Sequence, residues 1–228
     1  MYLIRGQHNL DLFNSRFPRV RLCGTIGNFD GLHLGHQAIL NKVKKNAQQN
    51  DAKTIVFFTE PHASEYFAKV REQNIMPPPR ICPWREKLKL LRQNKIDFAF
   101  FLKFNDSLRT MPPKDFISEI LESINLVSFT VGDDFRFGEN RKGDSNLLKS
   151  WGDKNNVIVE NTETILHKGE RVSSTRIRNE LMNNNFDLAE ELLGRPYTFS
   201  GKVVHGQHLG RTIDTVSYTH LRAHETSI

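Results

Sequence analysis

Only two cysteines, Cys23 and Cys82, occur in the 228 residues, and neither belongs to a C-x-x-C pair. A disulfide framework or a cysteine-built metal site is therefore not expected, and a reducing cytoplasm is the natural setting. Long hydrophobic runs are missing as well. No stretch approaches the roughly 20 apolar residues of a membrane span. The first thirty residues carry Arg5, Asp11, Arg16, Arg19 and Arg21 where a signal peptide would need an apolar core. The expectation is a soluble, cytoplasmic protein with no membrane partner. Internal repeats and low-complexity tracts are also absent. Charge is present in both signs, with a net +6 that favours anionic partners. A nucleoside triphosphate would satisfy that balance as well as a nucleic acid. The basic residues are spread along the chain without the aromatic interleaving of an RNA-binding sheet, so no nucleic-acid partner is expected.

What is there is enough for an ordinary core: 38% hydrophobic residues in a length that suits one large domain, or one domain and a fragment of a second. Apolar runs at 20–26, 54–59, 98–104, 126–131 and 157–160 predict strands. Helical spacing of apolar residues marks 36–48, 84–93 and 114–124, and a short helical pair follows at 174–182 and 187–193, closed by Gly194 as a C-cap. Strands alternating with helices of this length indicate right-handed βαβ units and a parallel sheet, an α/β fold. Pro77, Pro78 and Pro79 read as a loop inside the domain. The composition changes after Leu193. Residues 194–213, with glycines at 201, 206 and 210, predict short strands of an all-β module, and 214–228 continue neither pattern.

Three motifs carry chemistry. The first, Gly27-Asn28-Phe29-Asp30-Gly31-Leu32-His33-Leu34-Gly35-His36, follows a strand and opens a helix. A glycine-rich turn admits a phosphate close to the backbone, and a helix N-terminus offers free N–H groups at the positive end of its dipole. His33 and His36, three residues apart in the first turn, can face one point and donate hydrogen bonds to triphosphate oxygens. Gly35 between them keeps the wall low for a purine or ribose. Either histidine alone would more often be a cap or a surface residue. Zinc is disfavoured because no third ligand lies nearby.

The second motif, Arg171-Val-Ser-Ser174-Thr175-Arg176-Ile-Arg178, loads another helix start with hydroxyls and guanidinium groups, with Ser174 or Thr175 as its N-cap. Read alone it is also a capped surface helix. Two phosphate-ready helix starts in one α/β sheet would meet at the carboxyl ends of the strands. The third, Gly132-Asp133-Asp134-Phe135-Arg136-Phe137-Gly138, follows a strand. Its two phenylalanines could flank a planar ring, or form a buried pair in a tight hairpin. Phe57-Phe58-Thr59-Glu60-Pro61-His62 supplies a loop wall for an acceptor, or a plain Glu-Pro turn.

Together with Arg85-Glu-Lys-Leu-Lys-Leu-Leu91, these segments in this order resemble the prokaryotic bifunctional riboflavin kinase/FMN adenylyltransferases, or FAD synthetases, over roughly residues 15–213. The resemblance implies a Rossmann-like nucleotidyltransferase fold over 1–193 that makes FAD and pyrophosphate from FMN and ATP, with Mg2+ accompanying ATP and no metal ligand assigned to the protein. It implies that His33 and His36 bind the triphosphate and stabilise the transition state, over a nucleotide-site floor of Gly27, Asn28, Phe29, Gly31 and Gly35. Arg171, Ser174, Thr175 and Arg178 would hold the departing pyrophosphate. Phe58, Pro61, His62, Asp134 and Phe135 would line the flavin side. The family loop often reads Pro-His-Pro, and here Ala63 takes the last place. Residues 194–213 resemble the start of a β-barrel riboflavin kinase module, incomplete here, with 214–228 as a foreign tail and kinase activity absent.

Overall fold

The five apolar runs are strands of one parallel sheet in the computed structural model, which describes residues 1–70 and 76–201. The strands are β2 (Leu22–Ile26), β3 (Lys53–Glu60), β4 (Phe98–Lys103), β5 (Leu126–Gly132) and β6 (Ile158–Thr162), joined by a short N-terminal β1 (Tyr2–Arg5). Their order is β1-β4-β3-β2-β5-β6, and every neighbouring pair is parallel. The order reverses at β2, so the loop leaving β2 opens at the switch point where α/β sheets bind ligands.

Alternation along a pleated strand sends successive side chains to opposite faces, and both faces of this sheet are covered. Ile55 and Phe57 of β3 pack with α1 (Leu10–Arg16), with α6 (Pro113–Phe116) and its continuation, and with α7 (Ser145–Asn155). Val56 and Phe58 face the other way, towards Leu40 of α2 (Leu34–Gln49) and Leu90 and Leu91 of α4 (Trp84–Gln93). A smaller cluster ties α8 (Ser174–Met182) and α9 (Phe186–Leu193) to Ile81 and Val172.

The 84–93 and 174–182 helices lie where periodicity puts them, and Gly194 adopts the left-handed C-cap (φ 68°). The helix expected over 114–124 is interrupted. It starts at Pro113 and widens into a π-turn over Ile117–Leu121, with the Glu122 N–H bonded to the Ile117 carbonyl. The wide turn buries Ile117, Ile120 and Leu121 together. Not foreseen were β1, α1, α3 (Ala63–Val70), α5 (Asp106–Thr110), α7 and the two-residue hairpin strands β7 (Leu166–His167) and β8 (Glu170–Arg171). Residues Met1–Thr198 form one unit, five residues longer than the 1–193 expected. Phe199–Ile228 form a second, whose all-β start and atypical tail lie, beyond Gly201, outside the described residues.

Gly152 shows how tightly α7 meets β6. A Cβ there would stand 2.4 Å from the Val157 carbonyl oxygen and 2.7 Å from Val159. The clash outweighs the helix propensity that alanine adds, up to about 1 kcal/mol. Gly152→Ala is therefore expected to destabilise by about 2 kcal/mol. For a protein of this size that lowers the thermal midpoint by roughly 5 °C, readable by calorimetry.

Candidate active site

Between β2 and α2 the chain makes a turn that few sequences tolerate. Phe29 (φ 48°), Gly31 (φ 75°) and Leu32 (φ 45°) all lie in the left-handed region, which costs a non-glycine residue on the order of 1 kcal/mol. Phe29 and Leu32 are fully buried, so their side chains anchor the turn from below. Asp30 anchors it from within. Its buried carboxylate accepts from the Ile81 N–H (3.1 Å) and the Cys82 N–H (3.2 Å), and pairs with the Arg178 guanidinium at 2.6 Å. The Ser174 hydroxyl donates to the Asp30 carbonyl (3.1 Å), while Arg195 donates to the Gly31 (2.7 Å) and Leu32 (3.4 Å) carbonyls. The first and second motifs therefore meet, as expected, at the carboxyl ends of the strands.

His33 is the N-cap of α2. Its Nδ1 accepts from the His36 N–H at 3.4 Å, which leaves the ring proton of the neutral imidazole on Nε2. The two rings stack at 3.7 Å between centroids, 19° from parallel, and Phe29 backs His36 at 5.0 Å. A Cβ on Gly35 would come within 3.1 Å of the His33 ring, so glycine there lets the stack form. His36 Nδ1 is buried without a hydrogen-bond partner among the described residues. Burial pushes the His33 pKa down to about 4, against an opposing pull from Asp30 and with lesser downward contributions from Arg171, Arg178 and Arg195. Burial, the neighbouring His33 and Lys87 hold His36 well below the usual imidazole range. Both histidines are neutral near pH 7.

The remaining expected residues divide. Gly27 bonds its N–H to the Phe57 carbonyl, and Asn28 accepts from the Thr59 hydroxyl at 3.2 Å, which places both at the rim beside β3. Arg171, delivered by the β7–β8 hairpin, pairs with Asp134 at 2.8 Å and lies 3.6 Å from Asp133. Thr175 sits exposed in the first turn of α8. The cap of that helix is Ser173, whose hydroxyl accepts from the Arg176 N–H (3.2 Å), and not Ser174 or Thr175. Arg178 is put to a different use from the direct phosphate contact expected of it, because its Nε and a terminal nitrogen go to the Pro79 carbonyl and Asp30.

Two aromatic expectations need correction. Phe135 and Phe137 do share a side, but their rings stack on each other at 5.6 Å, which leaves no space for a ligand ring between them. Phe137 is buried against Phe116. Phe58 is a core side chain, 1% exposed and packed on Phe101, so it supports the wall without facing a ligand. The wall is the loop after β3, where a cis Glu60–Pro61 bond leads to His62 and Ala63 opens α3. Arg80 clamps Glu60 and Glu65 across it, and the His62 N–H donates to Glu65 at 3.1 Å.

A family model for FAD synthetase matches residues 20–176. The chain belongs to the FAD synthetase family. It is 39% identical over 215 residues to the bifunctional riboflavin kinase/FMN adenylyltransferase of Buchnera aphidicola subsp. Schizaphis graminum. It is 40% identical over 214 residues to the protein of that name from Escherichia coli K12. Each alignment covers 93% of this chain and 66% of the relative, so the chain spans just under two thirds of the length of these relatives. Among solved structures, a protein from Streptococcus pneumoniae titled macrolide-efflux protein aligns over 90% of this chain and 75% of its own, with a TM-score of 0.74. At 24% identity it speaks for the fold alone.

Asp30, Arg80, Lys87 and Arg195 are the residues of this site that motif reading gave no task. Lys87 left a trace, since it lies three and four residues before Leu90 and Leu91, a charge on the apolar face of α4. Asp30 stood inside a motif read for its glycines and histidines. Among the described residues, no group of three or more His, Cys, Asp or Glu could hold a metal ion. No described helix is long and apolar enough to cross a membrane.

Two measurements probe this construction. Arg178→Ala strands the buried Asp30 carboxylate and is expected to cost on the order of 3 kcal/mol in urea unfolding, part of it recovered by adding Asp30→Asn. The depressed His33 pKa makes folding pH-dependent, because between 6.5 and about 4 the unfolded chain binds a proton that the folded one refuses. The His33 contribution to stability is fully present above 6.5 and falls by about 3 kcal/mol as the pH drops through that window, with His36 and His62 adding in the same direction. His33→Asn, which keeps a capping acceptor, is expected to remove much of that slope. An unchanged slope would contradict the assignment to His33.

Proposed function

We propose that the chain is an FMN adenylyltransferase that transfers AMP from ATP to FMN, giving FAD and pyrophosphate. The observation that carries this reading is the stacked, neutral His33–His36 pair at the N-terminus of α2, with the hydrogen-bonding capacity of His36 unspent on the protein. Membership of the FAD synthetase family supports it, as does the name FMN adenylyltransferase borne by its relatives.

An FMN phosphate oxygen attacks the α-phosphorus of ATP. The new O–P bond forms as the bond between the α-phosphorus and the bridging oxygen breaks, and pyrophosphate leaves with that electron pair. No covalent bond to the protein is required, so the protein contributes alignment and charge stabilisation. His33 offers Nε2–H, and His36 offers its uncommitted ring. The turn Gly27–Gly31 and Gly35 bring backbone close to the nucleotide, with the dipole of α2 favouring its phosphates. Arg171 and Thr175 hold the departing pyrophosphate, while Ser174 and Arg178 keep the turn in place through Asp30. Pro61, His62, Asp134 and Phe135 form the flavin side. Mg2+, bound with ATP, would offset triphosphate charge. The donor set fits such a delivery, since Mg2+ commonly relies on substrate phosphates with few protein carboxylates. Asp133 and Asp134, the exposed carboxylates nearby, face Arg171. A cytoplasmic setting is part of the same proposal, in keeping with two free, buried cysteines.

The test is to incubate the purified chain with ATP, Mg2+ and FMN and to follow FAD by chromatography. FAD is expected, whereas riboflavin, which has no phosphate to attack with, should give nothing, and nicotinate mononucleotide should be a poor acceptor. His36→Ala is expected to keep the fold and lose about 3 kcal/mol of transition-state stabilisation, more than a hundredfold in turnover. No FAD from the wild-type chain, or undiminished turnover in the variant, would sink the reading.

A further inference from the structure

Lys87 carries its charge into the interior. It is 0% exposed, near the start of α4, with its ammonium 3.2 Å from His62 Nε2 and 5.1 Å from the centre of the Phe58 ring. Neither nearby carboxylate forms an ion pair with it: Asp30 pairs with Arg178, and Glu60 gives one oxygen to Arg80 while its other oxygen is buried without a hydrogen-bond partner among the described residues. A buried cation with no carboxylate partner is costly, and such groups persist where the charge has a task.

The chemistry of the pair leaves one arrangement. Burial lowers the Lys87 pKa, opposed by Cys82, Glu60 and Asp30. As an ammonium, Lys87 has three donors and no acceptor, so His62 Nε2 accepts, and the single proton of the neutral imidazole resides on Nδ1. Burial and the Lys87 charge both hold the His62 pKa below its usual value, so the ring stays neutral. The backbone of His62 is fixed as well, its N–H by Glu65 and its carbonyl by the Tyr66 N–H at 3.0 Å. A histidine whose backbone and tautomer are both set presents one defined donor.

We propose that Lys87 is a positioning residue that fixes His62 as an Nδ1–H donor for the flavin mononucleotide acceptor. This rests on the reading of His62 as an acceptor-side residue. Lys87 acts only through His62, because its own nitrogen is out of reach of solvent. The Phe58 ring keeps the ammonium in place from the strand side.

The experiment combines spectra of the ligand-free protein with kinetics. Lys87→Met removes the charge at similar volume and is expected to fold at least as stably as the wild type, since an apolar group replaces a buried ion. Nitrogen-15 NMR of histidine-labelled protein, with the His62 signals assigned by their loss in His62→Gln, should show Nδ1–H in the wild type. It should show a shift towards Nε2–H in Lys87→Met and retention of Nδ1–H in Lys87→Arg. With FMN and ATP, Lys87→Met should raise KM for FMN about tenfold, as loss of an outer partner of a functional histidine commonly does, and leave KM for ATP unchanged. Lys87→Arg should restore most of that loss. A wild-type His62 protonated on Nε2 would overturn the proposal. So would a His62 tautomer indifferent to Lys87→Met, or a shifted tautomer with an unaltered KM for FMN. If the wild type forms no FAD at all, the functional reading fails on its own, and the spectra still decide whether Lys87 sets the His62 proton.

Discussion

The Asp30–Arg178 ion pair is the constraint on which the rest of the site depends. A turn with three demands for positive φ within four residues, two of them on bulky side chains, does not hold itself. It persists because Asp30 reaches into the protein and is met by two backbone N–H groups and a guanidinium. Arg178 comes from α8 and the Ile81–Cys82 backbone from the segment before α4, so the pair closes two distant stretches of chain over the end of β2. Everything that faces the nucleotide in the proposed reaction inherits its position from this closure. The start of α2, the cap made by His33 and the stack of His33 on His36 all follow from where the turn releases the chain.

The parallel sheet was legible because β2, β3, β4 and β5 are buried on both faces and read as continuous apolar runs. β1 has only four residues, Tyr2–Arg5, too few for an apolar run to stand out. The helix over 84–93 was legible to its ends, whereas the one over 114–124 hid a π-turn, since burial of Ile117, Ile120 and Leu121 looks the same in sequence for either winding. At the site, the histidines and the arginine-rich helix start announced themselves by residue type and spacing. What spacing does not convey is which polar group is spent on the protein and which is left for a ligand. Arg178 looked like a phosphate ligand and spends two of its nitrogens on Asp30 and the Pro79 carbonyl, and Phe135 with Phe137 looked like a clamp and is a closed stack. Lys87, to which the motifs gave no role, is fully buried. Each of these is settled by tertiary partners that come from elsewhere in the chain.

The electrostatics have a common direction. His33, His36 and His62 are all held neutral by burial, and nearby cations push the same way. The positive potential that a polyanionic substrate needs then comes from Arg171 and from the dipole of α2, while the histidines contribute directional donors. This division suits a transfer in which charge moves across the triphosphate. Neutral donors with fixed geometry stabilise the displaced charge without trapping the ground state as tightly as fixed cations in the same places would.

Arg195 stands just past α9, after the left-handed Gly194, and its guanidinium grips the carbonyls of Gly31 and Leu32 while Gln37 ties Leu32 to Leu193. The stretch of chain that leaves α9 is therefore a tether fastened to the turn between β2 and α2. Tension or slack applied downstream of Leu193 would be transmitted over two hydrogen bonds to the backbone that shapes the entrance of α2. The exit of the domain and its chemical centre are mechanically one place.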